Sequence, residues 1–262
     1  MDAFENLLLD HSNGFLTITI NREKKLNALN QATLQELKEA FLHVKDNPND
    51  IRGVVLTGAG EKAFAAGADI SEFLGVNEMT ARKFAEEGQE VFESIENCHT
   101  PVIAVVNGFA LGGGCELAMA AHMRIAVETA KFGQPEVNLG LIPGYGGTQR
   151  LTQLIGKAKA FEYLMTAETI NVEKALQLGL INYVEDSKTS AIAKAVSLLE
   201  MIRKKAPVAI GLVIDSVNAH FEDGANGFQT EANAFARCFG TQDYKEGVAA
   251  FMEKREADFK GE

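Results

Sequence analysis

The first half of the chain alternates between short apolar runs and longer amphipathic stretches. Gly14 to Ile20 (GFLTITI) alternates and is β-branched, which predicts a strand. After the polar segment NREKKLNALN, the residues Leu34, Leu37, Phe41 and Val44 recur at helical spacing. They predict a helix from Gln31 to Val44 with Asn30 as its N-cap. IRGVVLTGAG, starting at Ile51, is too short and too apolar for a helix, and its glycines end a second strand. The small-residue segment KAFAAGADI, Lys62 to Ile70, reads as a loop. Phe84, Val91, Phe92 and Ile95 mark a helix from Thr80 to Glu96, which Thr100-Pro101 stops. PVIAVVNG, from Pro101, is a third strand, continuously apolar and so expected to be buried on both faces. A short fourth strand falls at Arg124 to Val127.

From about Lys157 the texture changes. Helical patterns cover Ala158 to Met165, Val172 to Leu178, Ser190 to Lys205, Val208 to Ala219, Ala225 to Phe239 and Tyr244 to Phe259. The expectation is an α/β core over residues 1–195 and a helical C-terminal subregion over 196–262. The apolar stripe of the last helix fits docking on its own core and packing between subunits equally well.

Composition narrows the function classes. With 262 residues, 46% of them hydrophobic, the chain can bury a substantial core. A net charge of −11 argues against nucleic acid and anionic membrane surfaces as partners. It leaves room for an anionic small ligand at a helix N-terminus. No apolar run approaches the roughly 20 residues of a membrane span. The three cysteines (Cys98, Cys115, Cys238) are sparse and odd in number, and the first residues lack the shape of a signal or transit peptide; the expected location is cytoplasmic. No Cys/His cluster has metal spacing, so no metal is expected. Neither a Gly-x-Gly-x-x-Gly run nor a Walker lysine is present, which weakens a nucleotide cradle.

Three segments could carry chemistry. In GFALGGGCELAMAA, Gly108 to Ala121, the glycines Gly112, Gly113 and Gly114 lead from a strand into a helix. Helix N-termini have unpaired N–H groups, and glycine lets a ligand approach them, so this turn suits an anion or a developing oxyanion. A tight strand-to-helix turn is the plain alternative. Glu116 sits in the first turn among apolar Leu117, Ala118, Met119 and Ala120, and a buried carboxylate needs a partner or a task. In FGQPEVNLGLIPGYGGTQRL, Glu136 is an acid in an apolar loop shaped by glycine and proline, surroundings that raise a carboxyl pKa. AFAAGAD, Ala63 to Asp69, could bring backbone N–H groups close to a ligand. The 20 residues between Glu116 and Glu136 do not fix their distance in space. The five histidines and the serines are scattered, and no nucleophile triad is visible.

Taken together and in order, AFAAGADI, PVIAVVNGFALGGGCELAMA, FGQPEVNLGLIPGYGGTQRL and FMEKREADFK resemble the enoyl-CoA hydratase (crotonase) family, most closely its short-chain members. The resemblance runs over essentially the whole chain. It implies a crotonase (ClpP-like) fold of repeated β-β-α units, with C-terminal helices that build trimers, usually paired into hexamers. It implies an acyl-CoA thioester substrate and no cofactor or metal beyond it. By position, the thioester oxygen would lie between the N–H groups of Ala68 and Gly113. Glu116 and Glu136 fall on the two catalytic glutamates, with Glu136 expected to give a proton to C2 and Glu116 to help activate water. The reaction would turn a trans-2-enoyl-CoA into a (3S)-3-hydroxyacyl-CoA, in fatty-acid β-oxidation or a related acyl-CoA pathway. Gly144 matches a position that shapes the catalytic water site; Ala66, Asp69 and Ile70 lie along the CoA-binding loop; Phe251 and Lys254 match residues that reach a neighbouring subunit's CoA.

Two features depart from the family pattern. Ser71-Glu72 stands where many hydratases place a lysine, and Tyr145 where a smaller residue is common. The nearest rival reading is an enoyl-CoA isomerase, which generally relies on one acid at the position of Glu136; Glu116 favours hydration. Some relatives bind AU-rich RNA, a role that the charge of −11 and the glutamate pair argue against.

Overall fold

The computed structural model describes residues 4–262. β1 (Leu7–Ser12) and β2 (Phe15–Ile20) form an antiparallel hairpin that leads into α1 (Gln31–Asp46). Two strands and a helix then recur. β3 (Val54–Gly58) and β4 (Ala63–Ala66) precede α2 (Glu78–Glu96), and β5 (Val102–Val106) and β6 (Phe109–Leu111) precede α3 (Gly113–Ala120). β7 (Met123–Val127) and β8 (Lys131–Gly133) precede α4 (Gly147–Ile155). α5 (Lys157–Thr166), β9 (Ile170–Asn171), α6 (Val172–Leu178) and β10 (Tyr183–Glu185) follow, then α7 (Lys188–Arg203), α8 (Pro207–Asn218), α9 (Gly227–Cys238) and α10 (Gln242–Glu253). The expected β-β-α units are present.

The first strand of each unit joins one sheet and the second joins another. The larger sheet runs β1-β2-β3-β5-β7-β10, parallel except for β1. The smaller runs β4-β6-β8-β9, with β4, β6 and β8 parallel. In its register Ala66, Leu111 and Gly133 stand side by side. β3 and β5 are buried at every residue, as continuously apolar parallel strands should be. α7 packs across β3, β5 and β7 and continues without a break through residue 195.

Polar residues tie these layers together. Buried Asn107 accepts from the Gly58 N–H at 3.1 Å and donates to Gly60 O at 2.8 Å and Ala63 O at 3.2 Å. It thereby joins the end of a large-sheet strand to the start of a small-sheet one. Buried Arg124 donates to Leu180 O at 2.7 Å and reaches the last carbonyls of α3, including Met119 O at 3.3 Å. A cation at a helix C-terminus is favourable there. Asn30 caps α1 as expected, accepting from the Thr33 N–H at 2.9 Å; its loss would cost about 1 kcal/mol.

Three expectations change. The segment read as a loop, KAFAAGADI, contains strand β4. Its alanines carry no β-branched signal; it is a strand because β6 supplies its ladder, and it is short because α3 crosses closely above it. The region after Lys157 is not purely helical, since β10 extends the large sheet beside β7. The last helix ends at Glu253 instead of running to Phe259. Lys254 turns left-handed at φ 56°, and the tail folds back so that Arg255 Nη2 meets Glu246 Oε2 at 2.9 Å.

Candidate active site

The site lies just past the C-terminal ends of the three parallel strands of the small sheet. Gly67-Ala68 follows β4, Gly112-Gly113 follows β6, and Gln134 to Glu136 follows β8. Such strand ends are where open α/β sheets place ligands.

Each glycine of the run has its own reason. Gly112 has φ 49° and sits against Glu136: a Cβ there would lie 2.8 Å from Glu136 Oε1. At Gly114 a Cβ would lie 1.8 Å from Ala65 O, so only glycine lets α3 cross β4 this closely. A Cβ on Gly113 would sit 3.4 Å from the Ala68 nitrogen, which puts these two backbones side by side. Leu29 exchanges hydrogen bonds with Gly67 O and the Asp69 N–H, which turns the Ala68 N–H to the opposite side. Gly113 is the first residue of α3, so its N–H has no acceptor within the helix. The two donors are thus adjacent and uncommitted to the helix or the Leu29 bridge.

Glu116, one turn into α3, is 1% exposed. Its Oε1 accepts from the Tyr145 N–H at 2.8 Å and the Gly147 N–H at 2.7 Å. Both bonds fall on one oxygen, which leaves Oε2 for a further partner. Burial pushes this carboxyl up to about 7, with the Glu136 charge adding to the rise and the two N–H bonds opposing it. Glu136 opens a short 3-10 turn after Pro135, and burial pushes it up to about 6. With the Gln134 amide nitrogen facing it, Glu136 receives hydrogen bonds at 3.0 and 3.2 Å.

The loop that holds Glu116 is itself braced. Arg150 donates to Tyr145 O at 2.8 Å and grips Glu96 Oε2 at 3.0 and 2.8 Å. Gly144 O accepts from Gln89 at 2.8 Å, which ties the same loop to α2.

The other expected site residues divide. Ala66 ends β4, and Ile70 is exposed at the start of a 3-10 turn, Ile70–Phe73. The Asp69 side chain is occupied: it pairs with Arg22 at 3.0 Å and accepts from Ser71 Oγ at 2.7 Å, and these bonds hold its carboxyl below the usual range. Glu72 accepts from the Gln31 N–H at 2.9 Å, so Ser71-Glu72 also braces the loop. Phe251 and Lys254 lie on and just after α10, which among the described residues packs extensively against no other element. The sequence reading missed Gln134, Arg150, Glu96 and Arg22. Gln134, immediately before Pro135-Glu136, was the one with a local signal. Among the described residues no cluster of His, Cys, Asp or Glu has the makings of a metal site, and no helix is long and apolar enough to cross a membrane.

Glu116 and Glu136 are close enough to influence each other's charge, and the adjacent backbones of Ala68 and Gly113 lie beside them. The sequence profile of the enoyl-CoA hydratase/isomerase family matches residues 10–262, and the chain belongs to that family. It is similar to a crotonyl-CoA hydratase of Syntrophomonas wolfei, 45% identical over 258 residues and 98% of each chain. A short-chain-enoyl-CoA hydratase of Clostridium acetobutylicum is 45% identical over 97% of each. The crystal structure of an enoyl-CoA hydratase from Bacillus anthracis superposes with a TM-score of 0.91 at 39% identity, covering 98% of this chain and 100% of that one.

Proposed function

We propose that the protein adds water reversibly across the double bond of a trans-2-enoyl-CoA, giving a (3S)-3-hydroxyacyl-CoA. The observation that carries this is the pair Glu116 and Glu136, both with raised pKa, next to the adjacent backbones of Ala68 and Gly113. The N–H groups of Ala68 and Gly113 receive the thioester oxygen as negative charge develops on it. Such preset donors are worth about 3–4 kcal/mol of barrier each. One proton resides on the carboxyl pair and one water lies between them. The water's hydroxyl bonds to C3 and Glu136 delivers a proton to C2. The water's other proton passes to Glu116, and its return to Glu136 resets the site. Two coupled carboxyls of this kind titrate as a unit. An isomerase needs only the acid at Glu136 and gives no role to a buried, doubly bonded Glu116; the isomerase alternative is not favoured.

The wider assignments belong to the same reading. Gly144 shapes the water site through the loop that carries the Tyr145 N–H. Ala66, Ile70 and the backbone around Asp69 line the CoA path, with the Asp69 side chain fixing the loop. Residues 196–262 are assigned to a homo-oligomer, a trimer or a pair of trimers, in which Phe251 and Lys254 reach a neighbour's CoA. Phe251 is 83% exposed on α10, as a residue awaiting a partner would be.

The test is direct. The conjugated enoyl thioester of crotonoyl-CoA absorbs in the ultraviolet, and hydration removes that band. Protein in catalytic amount should drive the absorbance quickly to the hydration equilibrium. Unchanged absorbance across a series of trans-2-enoyl-CoAs would overturn the proposal.

A further inference from the structure

We propose that Arg150 and Glu96 act together as a positioning pair, holding the middle peptide of the loop before α4 so that the peptides on either side both present their N–H groups to Glu116. This rests on the hydratase reading, in which Glu116 takes a proton from the water.

Three successive peptides make the cradle of Glu116. The first joins Gly144 to Tyr145. Its carbonyl accepts from Gln89 of α2 at 2.8 Å, and its N–H donates to Glu116 Oε1 at 2.8 Å. The third joins Gly146 to Gly147, and its N–H donates to the same oxygen at 2.7 Å. The second joins Tyr145 to Gly146, and its carbonyl is held by Arg150 Nη1 at 2.8 Å. Turning this middle peptide turns both neighbours. Gly146 sits at φ 98°, and a Cβ there would run into the guanidinium, so the loop closes directly over Arg150.

Arg150 is 8% exposed, and a buried charge needs a partner. Glu96 supplies it: Nε and Nη2 both donate to Glu96 Oε2, at 3.0 and 2.8 Å. Glu96 ends α2, and its backbone carbonyl is pinned from two sides. His122, just past α3, donates from Nε2 at 3.0 Å, and Asn218 of α8 donates at 2.9 Å. His122 Nδ1 accepts from the Val102 N–H at 2.9 Å, which puts the ring proton on Nε2. Burial pushes the ring down to about 4 and so keeps it neutral. The residue that steers the loop is thus tied to the end of the segment that carries Glu116, and donors and acceptor share one frame.

The groups that face Glu116 are Glu136 after β8, Arg150 of α4 with Glu96 of α2 behind it, Tyr145 on the loop and Cys115 on α3. Burial pushes the Tyr145 phenol and the Cys115 thiol each up to about 12, so neither is charged near neutral pH; Glu72 and Glu87 bear on the first and Arg124 of β7 on the second. The Glu136 charge raises Glu116, while the two N–H bonds and the Arg150 charge lower it. Losing Arg150 removes a lowering charge and loosens two lowering bonds, and both changes act in one direction.

The experiment measures kcat, KM and the pH profile of kcat/KM with crotonoyl-CoA. Arg150→Gln should lower kcat at least about tenfold with KM within about threefold, and move the alkaline limb to higher pH. Arg150→Lys keeps the charge but not the fork that spans Tyr145 O and Glu96, so it should lose kcat with a smaller movement of the limb. Glu96→Ala should also lower kcat, and Glu96→Gln, which still offers the guanidinium an acceptor, should recover most of that loss. Arg150→Gln combined with Glu96→Ala should be no slower than Arg150→Gln alone, because the two side chains act as a unit. Should Arg150→Gln fail to fold, Arg150→Lys and the Glu96 variants still decide. A pair that only props up the fold would lower the melting temperature, leave kcat per folded site and the alkaline limb in place, and give additive losses; that result overturns the proposal. Infrared difference spectroscopy against pH stands apart from turnover. The protonated-carboxyl band that Glu116→Gln removes should titrate at higher pH in Arg150→Gln than in the wild type, and an unmoved midpoint overturns the positioning pair. A wild type that hydrates nothing defeats the hydratase reading, while that midpoint still decides the pair.

Discussion

The sheet-bearing core and the α8–α10 arm use apolar residues in opposite ways. In the core, Phe64, Phe92 and Phe132 are fully buried and every residue of β3 and β5 is covered. In the arm, Phe228 is 89% exposed, Phe235 on α9 and Phe239 just after it are exposed too, and Val213 and Val217 stand out from α8. The core closes on itself and holds Glu116 by two backbone N–H groups and Glu136 by the Gln134 amide. The arm packs α8 on α9 and leaves these apolar side chains exposed. The lesson is that the two glutamates are held by one chain's own core, while the arm keeps apolar side chains at its surface.

The sharpest way to break this division is to damage each side separately. Glu136→Gln should lower turnover at least about 100-fold, as loss of a positioned acid does, and leave the oligomer's elution unchanged. Near-normal turnover would remove Glu136 from the chemistry. Next in size, the double change Phe228→Asp and Phe235→Asp should convert a trimeric or hexameric mass in light scattering to that of one chain, with core circular dichroism retained. A wild type that is itself monomeric would leave the arm without its partner. The smallest effect lies inside the core. Glu116 has a folded pKa of about 7 against 4.5 for the free group, so the folded state holds the proton more tightly. The protonated form's stability is fully present below the free value and is lost as pH rises through about 7. Glu116→Gln removes the buried charge, so it should melt a few degrees above the wild type at pH 8 and about level with it at pH 4. An equal or lower melting temperature at pH 8 would show that the two N–H bonds outweigh burial. Because the reactive state carries one proton on the pair, kcat/KM should fall on both sides of a narrow optimum, with limbs near about 6 and about 7 that belong to the pair as a unit.

What was legible in the sequence follows physical range. β3 and β5 were readable because burial on both faces leaves continuous apolar runs. The Asn30 cap was readable because it acts three residues away. Glu116 could be judged buried from its neighbours alone. The strands of the small sheet were not readable: β6 and β8 have three residues each, too few to show a period, and β4 is made of alanines and a phenylalanine. The bracing of the site was hidden for a different reason. Arg150 meets Glu96 across 54 residues and Glu116 meets Gly147 across 31, and no local pattern announces such pairs. The meeting of Glu116 and Glu136 became legible only through resemblance to a family.

The row Ala66, Leu111 and Gly133 across the small sheet acts as a ruler. Neighbouring parallel strands are held about 4.8 Å apart by their ladder. Ala68, Gly113 and Glu136 each follow one of three adjacent rungs. Insertions in the helices or outer loops change the length of chain between these groups without changing their spacing. A deletion of one residue in β8 is a different matter. It would pull Glu136 back along its rung and reverse the face it presents, a lesion out of proportion to its size. Tolerance to length change should therefore be high between the rungs and close to nil on them.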